Sequence, residues 1–364
     1  MLLKEVIAYL ESVFPLSLQE SYDNSGLIIG NPDEKIKKVL VCIDVTSEVI
    51  DEAIAKKCNL IISHHPLIFF GIKKLVYTSE NENPVVKAIK NNIAVYAAHT
   101  NLDNGQNGVN KVLADKLKLI NTKPLLPQKN LLRKLVTFCP VKNAENVRSA
   151  IFDAGAGHIG NYDCCSYNVE GFGTFRGNDD TNPYVGKTGE LHHENEVRIE
   201  TIYPVFIEKN VIKALLTSHP YEEVAYDIYD LNNTYNYVGS GIIGELEKEE
   251  VDIDFLKKVK KTLNVSVAKH TTLHGKKIKK VAICGGAGSF LIENALCQDA
   301  DIFISADLIY HDYFIPSEKM ILADFGHYET ELHAKELIFS LLTKKFSTFA
   351  VLISEINTNP VHYL

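Results

Sequence analysis

The sequence predicts an α/β fold: a duplicated, mostly parallel α/β core interrupted by an inserted ferredoxin-like α+β domain. Apolar, β-branched runs alternate with helical patterns near both ends of the chain, which is typical of a parallel sheet covered on both faces. The first and last thirds follow the same plan, whereas the middle follows a β-α-β-β-α order. The length of 364 residues also exceeds what one ordinary hydrophobic core accommodates.

Composition narrows the class of protein. The chain is 46% hydrophobic and 23% charged, as globular proteins are, and its formal net charge of −8 excludes a surface coated with basic residues for nucleic acid. A local basic patch or a basic channel stays possible. No apolar run approaches the ~20 residues of a membrane span, and the N-terminus lacks the pattern of a signal peptide. We therefore expect a cytoplasmic protein.

The seven cysteines include no CxxC motif, and their odd number predicts free thiols. Cys164 and Cys165 are adjacent and could be redox-active or bind a soft metal. We favour a structural explanation, in which they lie on opposite faces of a strand.

The first third supplies one half of the core. Apolar residues three to four positions apart predict an amphipathic N-terminal helix. After a loop, strand-like runs alternate with helices, the first of which follows a Thr-Ser cap. The predicted elements are a helix at 2–14, a loop at 21–34, a strand at 37–46, a helix at 47–59, a strand at 60–66, a helix at 84–92, a strand at 93–100 and a helix at 109–119.

The last third repeats this plan. Its ISAD and ILADFGH segments align with ISHHP and AVYAAHT of the first third, which suggests internal duplication, although any two α/β halves share some likeness. The turn CGGAGS is either a weak phosphate cradle or a tight turn that needs glycine. The predicted elements are a strand and turn at 279–289, a helix at 290–298, a strand with a polar end at 301–314, a strand at 320–327 and a helix at 328–346.

The middle of the chain is predicted to be the inserted domain, at 130–236, within a discontinuous core of 1–129 and 237–364. It holds 9 Lys/Arg against 15 Asp/Glu, so it carries most of the negative charge. Its β-α-β-β-α order is that of a ferredoxin-like unit, which one more strand usually closes. The predicted elements are a strand at 131–140, a helix at 143–157, a strand at 162–176, a loop at 177–190, a strand at 197–206 and a helix at 209–231.

Residues of the types that bind metals follow three predicted strands. His64 and His65 end one strand, His99 and Asp103 follow the next, and His327 and Glu331 follow the last. Parallel strands deliver functional groups at their carboxyl ends, and a helix starting after Gly326 would place His327 and Glu331 on one face. Each element alone has an ordinary structural explanation. Together they suit two divalent ions that share a carboxylate, a geometry that activates water for hydrolysis.

Seven segments together resemble the NIF-three-like family, often named GTP cyclohydrolase 1 type 2 homologues: DNSGLIIG, CIDVT, ISHHP, AAHTNLD, CGGAGS, SADLIYHDYF and GHYETE. The resemblance implies a dinuclear metal centre formed by His64, His65, Asp103, His327 and Glu331, with Asp103 or Glu331 bridging. It also implies a ring-shaped homohexamer, a trimer of dimers with the metal sites facing an internal cavity. The insert resembles the PII/CutA-like domain of longer members, most clearly in HPYEEVAYDIY.

Other polar residues are weaker candidates. His99 and His311 are candidate proton shuttles, with structural hydrogen bonding as the alternative for both. We expect His333 to lie on the surface, and His219 with Glu222 and Glu223 to form a polar patch rather than a metal site. The remaining candidates for orienting ligands or handling protons are Asp23, Asn24, Asp44 and Asp307.

The leading hypothesis is a metal-dependent hydrolase, similar to GTP cyclohydrolase 1 type 2, acting on a nucleotide-like or other small polar substrate. Two divalent ions would hold a bridging hydroxide; zinc comes first, and iron, manganese or cobalt are alternatives. The alternative is a non-enzymatic, metal-stabilised hexameric ring that binds a protein partner or nucleic acid.

Overall fold

The computed structural model describes residues 1–77, 83–316 and 318–364. The described chain divides into two compact units. The core unit contains Met1–Pro127 and Asn236–Leu364, and the inserted unit contains Gln128–Tyr235. The insert was expected at 130–236, close to the span of the inserted unit. No helix in the described part of the chain is long and apolar enough to cross a membrane.

The core unit contains two sheets that share one arrangement. In the first sheet the strand order is β1-β4-β3-β2-β15, with β2, β3, β4 and β15 parallel and β1 antiparallel to β4. Its strands are β1 Gly26–Ile29, β2 Lys38–Cys42, β3 Leu60–Ser63, β4 Ala94–Ala97 and β15 Ala350–Ile353.

The second sheet has the order β11-β14-β13-β12-β10-β5, in which β12, β13 and β14 are parallel and β11 is antiparallel to β14. Three neighbouring parallel strands with an antiparallel edge strand therefore occur in both sheets, which confirms the duplicated plan. The strands are β5 Leu119–Gln128, β10 Tyr235–Val251, β11 Lys269–His270, β12 Lys277–Ala287, β13 Ile302–Ala306 and β14 Ile321–Asp324.

Helices cover the sheets because alternate strand residues point to opposite faces. Val41 and Ile62 of the first sheet share an apolar cluster with Ile283 and Ile304 of the second, together with residues of α1, α5 and α11. The opposite faces pack against α2 and α9. The helices of the core unit are α1 Leu3–Val13, α2 Ser47–Ala55, α3 Pro84–Lys90, α4 Thr100–Asp103, α5 Val109–Lys116, α8 Asp252–Thr262, α9 Ile292–Cys297, α10 His327–Glu331 and α11 His333–Lys345.

The inserted unit is a β-α-β-β-α-β fold. Its antiparallel sheet has the order β7-β8-β6-β9, as in a ferredoxin-like domain. The helices α6 and α7 pack on one face of this sheet, around Leu135, Val147 and Val211. The elements are β6 Leu132–Pro140, α6 Ala144–Asp153, β7 Tyr167–Phe175, β8 His192–Pro204, α7 Glu208–Ser218 and β9 Tyr226–Leu231.

Several local predictions were wrong. The strand predicted at 301–314 ends at Ala306. The loop predicted at 21–34 contains strand β1, and the helix predicted at 209–231 ends at Ser218 because Pro220 cannot continue it. The following YDIYDL segment is the closing strand β9. Cys164 and Cys165 precede strand β7, and Cys164 has a left-handed φ of 52°, so the pair does not sit across a strand.

The helix predicted at 328–346 is two helices, α10 and α11, that are separated at Leu332.

The prediction of free thiols is confirmed, because all seven cysteines are unpaired.

Candidate metal centre

The carboxyl ends of three strands bring the predicted ligands together. The β3 strand ends at Ser63, and the next two residues continue its pairing with the neighbouring strand: the His64 amide donates to Cys42 O and the His65 amide to Ile43 O. Strand β4 is followed within three residues by helix α4, whose last residue is Asp103. Helix α10 follows β14 and begins at His327, as predicted, so that Glu331 lies one turn further on the same face.

Glu331 lies where these side chains converge. Its Oε2 atom is 2.9 Å from Nε2 of His65 and 2.9 Å from Nε2 of His327. The two Nε2 atoms are 3.3 Å apart. The ligand atoms of these three residues could hold a metal ion.

A second group contains His64, Asp103 and the same glutamate. His64 is fully buried, and its Nε2 atom lies 3.6 Å from Asp103 Oδ1 and 3.7 Å from Glu331 Oε2. The buried atoms His64 Nε2 and Asp103 Oδ1 have no hydrogen-bond partner. Because an unpaired buried polar atom is costly, this pair indicates that the site binds something further.

The other ring nitrogen of each histidine contacts an acceptor. Nδ1 of His64 lies 2.9 Å from Ala98 O, Nδ1 of His65 lies 2.7 Å from Asp44 Oδ1, and Nδ1 of His327 lies 2.7 Å from Asp307 Oδ2. In a neutral imidazole, an Nδ1–H group that donates to these acceptors leaves the Nε2 lone pair free for a metal. The weaker candidates Asp44 and Asp307 thus orient two of the candidate ligands.

The electrostatics of the metal-free cluster favour protonated imidazoles, so a metal ion would bind there in exchange for protons. Burial opposes protonation of the histidines, but the facing carboxylates outweigh it and raise the pKa of His65 to about 10 and that of His327 to about 9. Burial would raise the pKa of Glu331, yet the charge of His64 and the hydrogen bonds from His65 and His327 hold that pKa well below its usual range. Burial raises the pKa of Asp103 to about 6 against the attraction of His64.

The donor set fits divalent metal ions. Imidazole nitrogens and carboxylate oxygens are ligands of zinc and of other first-row metals. Two atoms bound about 2.0–2.1 Å from one tetrahedral ion lie about 3.3 Å apart, which matches the distance between the Nε2 atoms of His65 and His327. Three imidazoles and two carboxylates are also more ligands than one four-coordinate ion uses.

Comparison with known proteins decides the family. The model of the Duf34/NIF3 family (NGG1p interacting factor 3) matches residues 1–360. The chain belongs to the Duf34/NIF3 family.

A Bacillus subtilis relative named GTP cyclohydrolase 1 type 2 homolog is 40% identical, over 99% of this chain and 98% of its own. The solved Bacillus cereus protein related to NIF3 is 38% identical, with a TM-score of 0.86 over 100% of this chain and 99% of its own. A solved Staphylococcus aureus protein is 30% identical, with a TM-score of 0.77 over 100% and 99% of the two chains.

The glycine-rich turn of this Duf34/NIF3 chain borders the metal centre. Gly286 has a left-handed φ of 66°, and a Cβ atom there would lie 2.0 Å from Glu331 Oε1. Its amide nitrogen contacts the Thr330 hydroxyl at 3.0 Å. The glycine therefore makes room for the Glu331 carboxylate. The sequence alone predicts only a tight turn or a weak phosphate cradle at this position.

His99 forms a dyad with Asp23 next to the two groups above, and its own ligand atom lies within reach of those of His64 and His65, so these three histidines form a third group that could hold a metal ion. Its Nδ1 atom is 2.7 Å from Asp23 Oδ1, and its ring centroid is 5.3 Å from those of His64 and His65. Burial opposes ionisation of Asp23, but hydrogen bonds from His99, Thr100 and Ser25 hold its pKa well below the usual range. An ionised Asp23 fixes the orientation of the imidazole, as an orienting carboxylate does in an acid–base dyad.

Other predicted residues have different surroundings. His311 is exposed on the helical turn Tyr310–Phe314, with its ring against Tyr310, and its role as a proton shuttle stays a prediction. His333 was expected on the surface but is buried, because it lies on the face of helix α11 that points to the interior of the core unit. Asn24 donates to Ile68 O.

His219 is also buried. Its Nε2 atom lies 2.9 Å from Phe138 O, and it belongs to none of the metal-ligand groups among the described residues.

Proposed function

We propose that the core unit binds two divalent metal ions through His64, His65, Asp103, His327 and Glu331. The observation that carries the proposal is the position of Glu331, whose single Oε2 atom faces the Nε2 atoms of all three histidines. One oxygen between two ligand groups suits a bridging carboxylate, and Asp103 then completes the group that contains His64. Zinc fits this donor set best, with iron, manganese or cobalt as alternatives.

Metal stoichiometry tests the site. Protein stripped with a chelator should take up two Zn²⁺ ions per chain, measured by calorimetry and by elemental analysis. Glu331→Gln keeps the shape of the side chain but weakens both groups, so it should bind one ion or none. The matched control is Glu293→Gln, an exposed acid on helix α9. Equal uptake by Glu331→Gln and the unaltered protein would contradict the proposal.

We propose that this centre is the active site of a metal-dependent hydrolase. When bound, such ions supply Lewis acidity and lower the pKa of water. The chain supplies the rest: Asp44 and Asp307 orient their histidines, and Asp23 fixes His99 where it can hold or deliver a proton. The names of the relatives suggest a nucleotide substrate, with hydrolysis at the purine C8 of GTP as the first reaction to test.

A substrate panel tests catalysis. Metal-loaded protein should turn over at least one member of a panel of GTP, other nucleotides, phosphoesters and amides. Glu331→Gln should abolish turnover, and His99→Gln should lower kcat about 10²–10⁴-fold with its metal content unchanged. If the metal-loaded protein turns over no member of the panel, the catalytic proposal is rejected. The alternative, a non-enzymatic hexameric ring that binds a protein partner or nucleic acid, is then favoured. Binding of single-stranded DNA that weakens steeply with salt would support that alternative.

We further propose a homohexamer and a cytoplasmic location. The hexamer follows from the family resemblance, and exposed apolar residues of the core unit, such as Tyr310 and Phe314, offer surface for contacts between chains. Light scattering should then give a mass six times that of the chain. The unpaired cysteines suit a reducing compartment, which cell fractionation tests. The inserted unit would correspond to the PII/CutA-like domain.

A further inference from the structure

The inserted unit contains a cavity of about 640 Å³, a volume typical of small-molecule sites. Sheet residues line it on the face opposite to helices α6 and α7: Phe138 and Arg198 oppose each other across β6 and β8, and Gly171 opposes Glu196 across β7 and β8. Residues directly opposite in an antiparallel pair point to the same face. The helices instead pack against Leu135 and Val197.

The floor of the cavity is bare backbone at two positions of β7. A Cβ atom at Gly171 would meet nothing within 4 Å, so this position is open space. A Cβ atom at Gly173 would lie 2.3 Å from Glu196 Oε2. The glycines thus leave room both for a ligand and for the carboxylate of Glu196.

Aromatic rings form the walls. The ring centroid of Tyr221 is 6.1 Å from that of Phe175 and 6.3 Å from that of Tyr184. The Tyr221 hydroxyl donates to Glu196 Oε1 at 2.7 Å, which fixes the carboxylate beside the rings. A carboxylate held next to several π faces is an environment that attracts cations.

The charged residues that line the cavity also favour a cationic ligand. The lining contains the acids Glu170, Glu196, Glu222 and Glu223 against the two cations Arg176 and Arg198. Arg198 is already engaged, because its Nε atom lies 2.9 Å from Glu200 and its guanidinium lies over the Phe138 ring at 5.9 Å. Lys142 lies over the Tyr184 ring at 4.8 Å. Two of the cavity's rings therefore already accept protein cations, whereas no such cation is described over Phe175 or Tyr221.

We propose that this cavity binds a small organic cation, an ammonium or guanidinium ion with an apolar body. The body lies against the bare backbone of β7, and the charged group lies among Phe175, Tyr221 and the Glu196 carboxylate. The site lies wholly in the inserted unit and does not depend on the metal centre.

Calorimetry on the full-length protein at low salt tests the proposal with three probes of similar shape. 2-Phenylethylammonium should bind, and neutral 2-phenylethanol and anionic 3-phenylpropanoate should each bind at least about tenfold more weakly. Glu196→Gln removes the charge, and Phe175→Leu removes a π face, so each should weaken the ammonium by about tenfold. Circular dichroism melting confirms that each variant is folded.

Two controls separate this site from its surroundings. Glu190→Gln alters an exposed acid of the same unit that does not line the cavity, and Glu331→Gln alters the metal centre; both should leave the ammonium affinity unchanged. The proposal is overturned if the alcohol or the carboxylate binds as tightly as the ammonium. It is also overturned if folded Glu196→Gln binds like the unaltered protein, or if the ammonium gives no saturable heat.

Discussion

At Glu331, one carboxylate oxygen lies within 3.7 Å of three imidazole nitrogens, and the backbone around it is shaped to allow this. Gly286 and Asp307 both have left-handed φ angles, of 66° and 55°. Asp307 contacts His327, and Gly286 leaves space for the glutamate. Glycine adopts this conformation without strain, whereas at Asp307 it is uncommon for a residue with a side chain, although aspartate tolerates it better than most.

Gly286→Ala should disrupt the metal centre. The new Cβ atom would lie 2.0 Å from Glu331 Oε1, and an L side chain in this left-handed conformation costs about 1–2 kcal/mol. We expect Zn²⁺ affinity, measured by calorimetry, to fall by about 10–100-fold. Gly285→Ala is the matched control, because its Cβ atom would approach other atoms no closer than 3.4 Å. Equal losses in the two variants would show that the glutamate contact is not the cause.

His219 should make the stability of the inserted unit depend on pH. Burial lowers the pKa of this imidazole, against the effect of Phe138 O and Glu196, and its Nδ1 atom accepts the Tyr221 amide. The unfolded chain, with a pKa near 6.5, thus binds a proton more readily. The stability contributed by neutral His219 is complete above about pH 6.5 and is lost as the pH falls through the lower folded pKa.

The measurement is the melting temperature between about pH 8 and pH 5.5, within the range where histidines titrate. Acid should lower the melting temperature of the unaltered protein more than that of His219→Gln. The melting temperature of the variant should therefore rise relative to that of the unaltered protein as the pH falls. His193→Gln, at an exposed position in the same unit, should follow the unaltered protein. A gap independent of pH would refute the assignment.

At the scale of elements, hydrogen bonds connect the C-terminal segment after β15 to the metal centre. The Thr358 hydroxyl donates to Asp44 Oδ2 at 2.6 Å, and Oδ1 of the same aspartate contacts His65. Asn359 donates to Glu329 on helix α10, and the Ser354 amide donates to Val41 O of β2. An irregular tail thereby supports a residue that orients a ligand.

Thr358→Val should weaken metal binding without unfolding the protein. The change keeps the shape of the side chain but removes the bond that fixes Asp44, so we expect a loss of Zn²⁺ affinity of about 3–10-fold, less than for a direct partner of a ligand. Thr348→Val, at an exposed position outside these contacts, serves as the control. Unchanged affinity in calorimetry would mean that the tail does not support the centre.

The elements also show what the sequence can and cannot predict. Strong periodic patterns gave helices α1, α2 and α5 and the parallel strands, and strand ends gave the five candidate ligands. The short strand β1 was not predicted because GLII is flanked by glycine and polar residues. Strand β9 was not predicted because a helical pattern precedes it. Thr358 and Gly286 could not be found, because their importance lies in contacts with residues 314 and 45 positions away in the chain.

At the scale of the whole molecule, the inserted unit is the connection between two strands that are neighbours in one sheet. Strand β5 ends at Gln128 and β10 begins at Tyr235, and these strands are adjacent in one sheet. All five candidate ligands lie in the core unit. The inserted unit has its own apolar cluster around helices α6 and α7.

Replacement of residues 128–235 by a short Gly-Ser linker should leave a folded core unit. Zn²⁺ uptake should stay within about twofold of the full-length value, because no ligand is removed and a short loop between adjacent strands has a small closure cost. Circular dichroism and calorimetry would measure both properties. A soluble, folded variant that fails to bind Zn²⁺ would contradict this independence.

The origin of the ligands has a consequence for how the molecule holds together. His64, His65 and Asp103 follow strands of the first sheet, and His327 and Glu331 follow a strand of the second. His65 and Glu331 are 266 positions apart in the chain. An ion held by both would act as a removable cross-link between the two sheets of the core unit, stabilising the unit by an amount that grows with metal concentration. Neither sheet supplies the complete set of candidate ligands, so loss of the ion would remove a connection that no single sheet can replace.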